Sequence, residues 1–424
     1  MNISRGIILS APSSASGKTT ITLGLLRALK IAGIPVRSAK SGPDYIDPRF
    51  HEAASKQPSM NIDAWAMPND QILSLAGQGH LVIEGAMGLF DGAGLLGHGS
   101  TAELAKQLSI PIILVVDASK TSHSIAALVQ GFVNFDDNIK IAGVILNRVG
   151  TERHLKMLIR ALNEIKISVM GYLPRSVNFT LAERHLGLVQ AGEHENLDSW
   201  IDLVADALQP SLDLDAILAL TGPTPSKQAI KATKPPAQKI AIAQDRAFEF
   251  TYTHMLKEWR AAGAELSFFS PLADDIISVG ADFVFLPGGY PELYAGKLST
   301  ANRFRSSIQK HALKKPVYGE CGGYMVLGDG LIDTHGDRHE MLGLLRLETS
   351  FQNRELHLGY RQLTPLTSHF EFSCKGHEFH YAKTLQAEGP ALFNAVDADG
   401  TDLADMGLFL GNTYGSFAHI ISGI

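Results

Sequence analysis

Short runs of apolar residues alternate along the amino-terminal half of the chain with stretches in which apolar positions recur at helical spacing. Helical spacing appears at Ile21, Leu25 and Leu29, and again across Ser122–Val133. Strands that alternate with helices indicate a parallel sheet with helices on both faces. The apolar runs that predict buried strands are Gly6–Ser10, Val36–Lys40, Leu81–Glu84, Pro111–Asp117 and Ile141–Asn147.

The same alternation restarts in the carboxy-terminal half. A helical pattern at Thr253–Ala262 lies among predicted strands at Lys239–Ala243, Glu265–Phe269 and Asp282–Leu286. Between the halves, Trp200–Leu220 predicts one or two helices, and the following stretch is rich in Pro, Lys, Ser and Thr without apolar periodicity. We therefore predict two α/β domains, at 1–214 and 239–424, joined by a linker at 215–238.

Composition and charge exclude several classes of protein. The 424 residues are 45% hydrophobic and 19% charged, with a formal net charge of −6, which is ordinary for a globular protein and argues against a general nucleic-acid binder. Two cysteines are too few for a disulfide framework. No apolar run is long enough to span a membrane, and Met1–Leu9 lacks the features of a secretion signal. We expect a cytoplasmic protein that has no membrane or nucleic-acid partner.

A candidate phosphate-binding loop lies between the first predicted strand and the first helix. The sequence Ala11–Thr20 ends in Gly-Lys-Thr-Thr, and a loop of this kind holds phosphates through backbone N–H groups, a lysine and a hydroxyl on Mg²⁺. Pro12 stands where the usual pattern has glycine, so the loop is a variant; the alternative is a Gly/Ser-rich turn before a surface helix. The predicted ATP-binding residues here are Ser16, Gly17, Lys18, Thr19 and Thr20, with Thr19 also a metal ligand.

Polar residues follow several of the other predicted strands. Asp44 and Asp47 lie in a Gly/Pro turn after the second strand, and Glu84 ends the third. Ligands bind at the carboxyl edge of a parallel sheet, and a carboxylate beside a phosphate-binding loop is a usual Mg²⁺ contact. We predict Asp44 and Glu84 as metal ligands, and Asp47 and Asp91 as substrate-binding residues. Asn147 could contact the adenine of ATP; a helix cap is the alternative for it.

A candidate nucleophile lies in the carboxy-terminal half, at Cys321. An apolar run ends in Gly319–Glu320, and glycines 322 and 323 then begin a helical pattern. A sharp turn between strand and helix exposes a nucleophile, and a helix start favours the thiolate. The alternative is a small buried cysteine at a strand end.

Two further features would complete a thiol site. The paired glycines after the strand at Asp282–Leu286 could offer backbone N–H groups to an oxyanion, although a plain turn is the alternative. We predict Gly289 and Gly322 as the oxyanion-binding residues. His419 follows a glycine turn near the end of the sequence and is the best candidate for the base.

These motifs together resemble the cobyrinic acid a,c-diamide synthase family, whose amino-terminal fold is similar to dethiobiotin synthetase. The resemblance rests in the first half on Ala11–Thr20, Lys40–Pro48, Glu84–Gly92 and Glu183–Leu188. In the second half the segments Pro287–Glu292, Gly319–Tyr324 and Gly415–His419 resemble a class I glutamine amidotransferase domain. Gly376–Tyr381 also resembles a family segment, and His377, Glu378 and His380 within it are interdomain or substrate-loop candidates; a solvated strand is the alternative.

The resemblance implies an ATP-dependent, glutamine-hydrolysing ligase built from a P-loop, doubly wound, mostly parallel sheet followed by a class I amidotransferase domain. In such an enzyme Cys321 attacks the glutamine amide, His419 serves as base, and Gly289 and Gly322 bind glutamine and the oxyanion. The amino-terminal domain uses MgATP to activate the a and c acetate carboxylates of a corrinoid, cobyrinic acid, as acyl phosphates that ammonia displaces. The expected small-molecule partners are ATP, L-glutamine and the corrinoid, and a homodimer is one assembly that the sequence allows.

Other substrates and one other class of protein remain open at this level. The same chemistry could act on hydrogenobyrinic acid or on nickel-sirohydrochlorin, and no motif separates these. A P-loop switch ATPase with an inactive amidotransferase domain is the alternative class, and Cys321 in an intact turn argues against it. The chain also departs from many class I amidotransferases, which have a glutamate two residues after the catalytic histidine, where this chain has Ile421.

Overall fold

The computed structural model describes residues 4–180, 183–184, 187–224 and 233–423, so His185 and Leu186 of the fourth family motif lie outside the described residues. The chain divides into two compact units between positions 230 and 231. Part of the range predicted as a linker has regular structure in the first unit, because Leu214–Leu220 is helical and Gly222–Thr224 is a strand. Positions 225–232 of that range are not described. The domain bounds given above stay a prediction.

The first unit is built on an eight-stranded sheet. Its strands run in the order β3-β2-β4-β1-β5-β6-β7, all parallel, with β10 added antiparallel to β1. The strands are β1 (Ser4–Ser10), β2 (Val36–Ser41), β3 (Met60–Ile62), β4 (His80–Glu84), β5 (Ile112–Asp117), β6 (Ile141–Val149), β7 (Val169–Pro174), β8 (Glu183–Arg184), β9 (Gly187–Leu188) and β10 (Gly222–Thr224), of which β8 and β9 form a separate hairpin.

Helices connect the parallel strands, as the alternating pattern predicts. They are α1 (Lys18–Ile31), α2 (Asp47–Ser55), α3 (Asn69–Ala76), α4 (Thr101–Leu108), α5 (Ile125–Phe135), α6 (Glu152–Glu164), α7 (Leu197–Leu208) and α8 (Leu214–Leu220). Central strands such as β5 are buried along almost their whole length because both faces of the sheet are covered, which explains their continuous apolar runs. Within this sheet Glu84 pairs with Leu9 on one side and with Lys40 on the other. The loops after β1, β2 and β4 therefore start from one edge.

The second unit contains a six-stranded sheet and two four-stranded sheets. The large sheet has the order β12-β11-β13-β14-β23-β22, parallel except for β22, and the small ones are β16-β15-β17-β20 and β21-β18-β19-β24. The strands are β11 (Lys239–Ala243), β12 (Glu265–Phe269), β13 (Phe283–Leu286), β14 (Val317–Glu320), β15 (Gly330–Ile332), β16 (Arg338–Glu340), β17 (Arg346–Ser350), β18 (His357–Pro365), β19 (Cys374–His380), β20 (Lys383–Glu388), β21 (Phe393–Val396), β22 (Leu408–Leu410), β23 (Thr413–Ser416) and β24 (His419–Gly423).

The helices of this unit are α9 (Thr253–Ala261), α10 (Ala295–Thr300), α11 (Asn302–Ala312) and α12 (Gly322–Leu327). Strand β14 lies inside the large sheet, between β13 and β23, and Cys321 follows it directly. The thiol is 2% exposed and belongs to a hydrophobic cluster that includes Leu286 and Tyr324. Both units are α/β, which confirms the predicted fold class. Among the described residues no helix combines the length and apolar character needed to cross a membrane.

Two candidate catalytic sites

The phosphate-binding loop of the first unit is held by a neighbouring strand. Gly17 caps helix α1 at φ +85°, and a Cβ there would lie 2.0 Å from Asn147 Nδ2, so the position requires glycine. The Asn147 amide donates a hydrogen bond to the Ser16 carbonyl oxygen over 2.9 Å. Asn147 therefore supports the loop from the end of β6. A contact between Asn147 and adenine stays a prediction.

Three of the predicted acidic residues surround one buried lysine that the sequence analysis did not select. Lys40 Nζ donates to Asp47 Oδ2 over 2.5 Å and to Glu84 Oε1 over 2.9 Å, and Asp44 Oδ2 lies 4.0 Å away. The Thr19 hydroxyl donates to the same Glu84 oxygen over 2.7 Å. Lys40 lies one residue before the end of β2, in the segment Lys40–Pro48 that resembles the family, and this position is the signal by which sequence reasoning could have found it.

The charges in this cluster shift one another's pKa values. Burial and the ammonium of Lys40 lower the pKa of Lys18 to about 8. Burial opposes the charge on Lys40, but Asp47 and Glu84 outweigh it and raise the pKa of Lys40. Burial and the charge of Asp44 raise the pKa of Asp47 to about 7. The pKa of Glu84 is lowered in spite of burial, since Lys40 and His51 stabilise its charged form.

His51 is a second residue that sequence reasoning missed. It is fully buried on α2, and its Nε2 lies 2.7 Å from Glu84 Oε2, while Ser59 Oγ lies 3.4 Å from its Nδ1. Both oxygens of Glu84 are thus engaged, and the carboxylate is fixed in place. The predicted substrate residue Asp91 accepts a hydrogen bond from the Gly88 N–H over 2.9 Å, and the neighbouring Met87 carbonyl accepts one from Lys18.

In the second unit Cys321 forms a sharp turn between β14 and α12. Its backbone has φ +45° and ψ −109°, in a region that residues with a side chain rarely adopt. The Cys321 N–H donates to the Ser416 carbonyl over 2.9 Å, which ties the turn to the neighbouring strand β23. The strand, the turn and the helix lie where the sequence predicts them.

Glycines lie next to the thiol and the histidine, where a side chain would collide with them. A Cβ on Gly288 would lie 2.3 Å from His419 Cε1 and 3.3 Å from Cys321 Cβ, so both side chains border the same point. A Cβ on Gly322 would lie 3.1 Å from the Gly289 backbone nitrogen, which brings the two predicted oxyanion residues together. The fold thus unites Cys321 and His419, whose meeting the sequence spacing cannot reveal.

The residue that directly precedes Cys321 places a carboxyl group next to His419. Glu320 Oε2 lies 3.8 Å from His419 Nδ1, and both side chains are almost fully buried. The other oxygen, Oε1, accepts hydrogen bonds from the Ile420 N–H over 3.1 Å and from the Tyr318 hydroxyl over 3.2 Å. Many class I amidotransferases have this carboxylate two residues after the histidine. Sequence reasoning therefore did not select Glu320, which directly precedes the cysteine.

Burial keeps the three groups of this site uncharged near neutral pH. It raises the pKa of the Cys321 thiol well above its usual range and lowers the pKa of His419 to about 3. It also raises the pKa of Glu320 to about 8. A thiol in this state needs the histidine to take its proton as it attacks.

The segment around Glu378 is a strand, but it is not solvated. His377, Glu378 and His380 lie on β19 and are 9%, 7% and 3% exposed. The Arg361 guanidinium forms an ion pair with Glu378 Oε2 at 2.9 Å. The alternative of a solvated strand is therefore wrong, while the interdomain and substrate-loop assignments stay predictions.

Comparisons with known proteins cover both units. Residues 7–189 match the family model described as the CobQ/CobB/MinD/ParA nucleotide binding domain, and residues 239–423 match the CobB/CobQ-like glutamine amidotransferase domain. A protein of Brucella anthropi named hydrogenobyrinate a,c-diamide synthase is 50% identical, with 98% of each chain covered. Proteins of the same name from Rhizobium meliloti, 50% identical over 98% of this chain and 99% of the relative, and Rhodobacter capsulatus, 45% identical over 99% of both, also match.

Proposed function

Since the chain belongs to the cobyrinic acid a,c-diamide synthase family, we propose that it amidates the a and c acetate carboxylates of hydrogenobyrinic acid, with ATP as the energy source. It is a ligase that forms C–N bonds and takes the nitrogen from glutamine. The observation that supports this most directly is the convergence of Cys321 and His419 beside Gly288 in the amidotransferase unit.

The choice of corrinoid rests on the relatives. No motif separates cobyrinic acid from the metal-free hydrogenobyrinic acid or from nickel-sirohydrochlorin, although the family that the motifs resemble is named for cobyrinic acid. Relatives that cover almost the whole chain at 45–50% identity carry the name of the metal-free substrate. We therefore place hydrogenobyrinic acid first and cobyrinic acid second. A P-loop switch ATPase with an inactive second domain is disfavoured by the same full-length similarity.

In the first unit, we propose that the loop around Gly17 holds the phosphates of ATP and that Lys18 contacts the outer ones. Thr19, Asp44 and Glu84 offer the oxygen ligands that Mg²⁺ prefers, and they are already assembled around the positive charge of Lys40. Mg²⁺ bound there would neutralise phosphate charge. Asp47, fixed by Lys40, and Asp91, fixed in the glycine-rich loop, would bind the corrinoid. Its carboxylate oxygen takes the γ-phosphoryl group, and ammonia then displaces phosphate.

In the second unit, we propose that His419 takes the proton of the Cys321 thiol as the sulfur attacks the glutamine amide carbon. Backbone N–H groups at Gly289 and Gly322 stabilise the resulting oxyanion. His419 returns the proton to the leaving nitrogen, ammonia departs, and water hydrolyses the thioester to glutamate. Glu320 Oε2 lies 3.8 Å from Nδ1 of His419. After a small approach it would accept a hydrogen bond from Nδ1–H and orient the ring, in the role that the missing glutamate plays in other class I enzymes.

The experiment that tests this function is turnover with glutamine, MgATP and each of three tetrapyrroles, followed by mass spectrometry. Each amidation replaces a carboxylic acid by a carboxamide, so single and double products are distinct. We expect two amidations of hydrogenobyrinic acid, with a kcat/KM above those for cobyrinic acid and nickel-sirohydrochlorin. A higher kcat/KM for either of the other two would overturn the substrate assignment, and glutamine hydrolysis without any amidated product would overturn the proposed function.

A further inference from the structure

Three side chains that the amidation chemistry does not use converge on one face of a small sheet. His357, Glu378 and His380 each offer a ligand atom, and these atoms all lie within 4.8 Å of one another. Glu378 and His380 are buried, whereas His357 is half-buried. In the described part of the chain, this is the one group of at least three histidine, cysteine or acidic side chains that is close enough to hold a metal ion.

The pairing of β18 with β19 explains this convergence. His357 lies directly opposite His380 in the antiparallel ladder, so their side chains share a face. Glu378 precedes His380 by two residues on the same strand and therefore points to that face as well. One strand therefore supplies two ligands, at positions i and i+2, and the neighbouring strand supplies the third. Backbone hydrogen bonds between the strands hold the three side chains at fixed positions around a cation.

The cluster also has the surroundings that a bound ion needs. Glu378 Oε1 lies 3.0 Å from His380 Nε2, while its other oxygen is held by Arg361, which leaves Oε1 directed at the cluster. Outer contacts of this kind orient metal ligands. A cavity of about 460 Å³, lined by all three residues, gives access and room for water.

From this geometry we propose that His357, Glu378 and His380 form a binding site for a divalent transition-metal ion of the zinc class, with the cavity supplying a water ligand. Two imidazoles and one carboxylate are a donor set that Zn²⁺ and Co²⁺ bind tetrahedrally with one open position. The rings of His357 and His380 are stacked with their centroids 4.7 Å apart. The half-buried His357 therefore turns its ring on binding, so that a nitrogen faces Glu378.

The test uses the purified full chain, freed of metal by chelation and titrated with Co²⁺. We expect one Co²⁺ per chain with the intense visible bands of a tetrahedral site, displaced by Zn²⁺. His380→Ala and His357→Ala should each weaken binding by about 100-fold or more, because each removes a ligand. His357 is the safer site for substitution, since a half-buried ring can be truncated with little effect on folding.

Matched controls separate this site from others that bind metal. His335→Ala removes an exposed imidazole from the same unit and should leave the titration unchanged. The proposal fails if visible bands are absent, or if they persist in both ligand variants. It also fails if the spectrum contains a sulfur-to-cobalt band that Cys321→Ser removes, because the ion would then be bound at the thiol.

Discussion

Glu320 lies beside the proposed base His419, and its burial makes the stability of the folded protein depend on pH. Its carboxyl group is buried between His419 and Tyr318, and burial raises its pKa from 4.5 to about 8. The folded protein therefore retains a proton that the unfolded chain has lost between these two pH values. Stability falls as pH rises through this window, because ionisation of the buried group opposes folding. A residue with this cost is best explained by its position beside His419, the proposed base.

We predict that Glu320→Gln lowers the glutamine-dependent kcat by about 10²-fold, because an amide cannot ionise to stabilise the imidazolium that forms when His419 takes the thiol proton. The same variant should gain thermal stability relative to the natural protein, and the gain should grow from about pH 5 to about pH 8, since glutamine cannot ionise. Glutamate release and thermal unfolding at several pH values measure the two effects.

Tyr318→Phe is the matched control for this pair of measurements. It removes the hydroxyl that donates to Glu320 and leaves the Glu320 carboxyl group in place beside His419. We expect a smaller loss of kcat from it than from Glu320→Gln. If Glu320→Gln changes stability but leaves kcat at the natural value, Glu320 has only a structural role.

At the scale of elements, the ends of β2 and β4 determine the first site. Their parallel pairing places Lys40 beside Glu84, and the turn after β2 returns Asp47 to the same ammonium group. Helix α2 then brings His51 against the other side of Glu84. Each strand end therefore supplies one charge of a buried network, and no single element forms it alone.

We predict that Lys40→Met destabilises the protein by about 3–5 kcal/mol at neutral pH, because it leaves buried carboxylates without their partner. Chemical denaturation measures this change. Lys56→Met is the control, since it removes an exposed lysine from an ion pair with Asp198 and should cost less than about 1 kcal/mol. Equal losses in the two variants would show that the network contributes no more than a surface ion pair does.

Several strands that the sequence patterns predict have two buried faces, although β12, which is mostly exposed or half-buried, is also predicted. Strands such as β4 and β14 appear as short apolar runs, and their loops contain the glycines and acids that mark a site. Strand β18 carries no apolar run because most of its residues are only partly buried, so it was not predicted. Contacts such as Lys40 with Glu84 and Glu320 with His419 depend on register between strands, which one sequence does not display.

At the scale of the whole molecule, two units carry two separate sets of chemical groups. The amidotransferase unit contains the thiol and histidine, and the nucleotide unit contains the phosphate-binding loop and the charged network around Lys40. In the proposed function, ammonia is the product of the groups in the amidotransferase unit and the nucleophile required in the nucleotide unit. Substitutions in each unit should therefore separate the two half-reactions.

We predict that Cys321→Ser lowers glutamine-dependent amidation by more than about 10³-fold and leaves amidation with added ammonium salts intact, because the nucleotide unit is unchanged. Lys18→Ala should abolish amidation from either nitrogen source and leave glutamine hydrolysis within about twofold. Product analysis by mass and glutamate release measure these outcomes. Equal loss of both nitrogen sources in folded Cys321→Ser would contradict the division of labour.

The backbone at Cys321 also bears on how the family can diverge. Its positive φ suits glycine better than any residue with a side chain, so folding alone would favour glycine at this position. We attribute the cysteine there to the sulfur that the proposed glutamine hydrolysis needs. A lineage that obtained ammonia from another source would lose that constraint, and glycine at this turn would be the first substitution expected in it. Position 321 can therefore indicate, in sequence data alone, which descendants still hydrolyse glutamine.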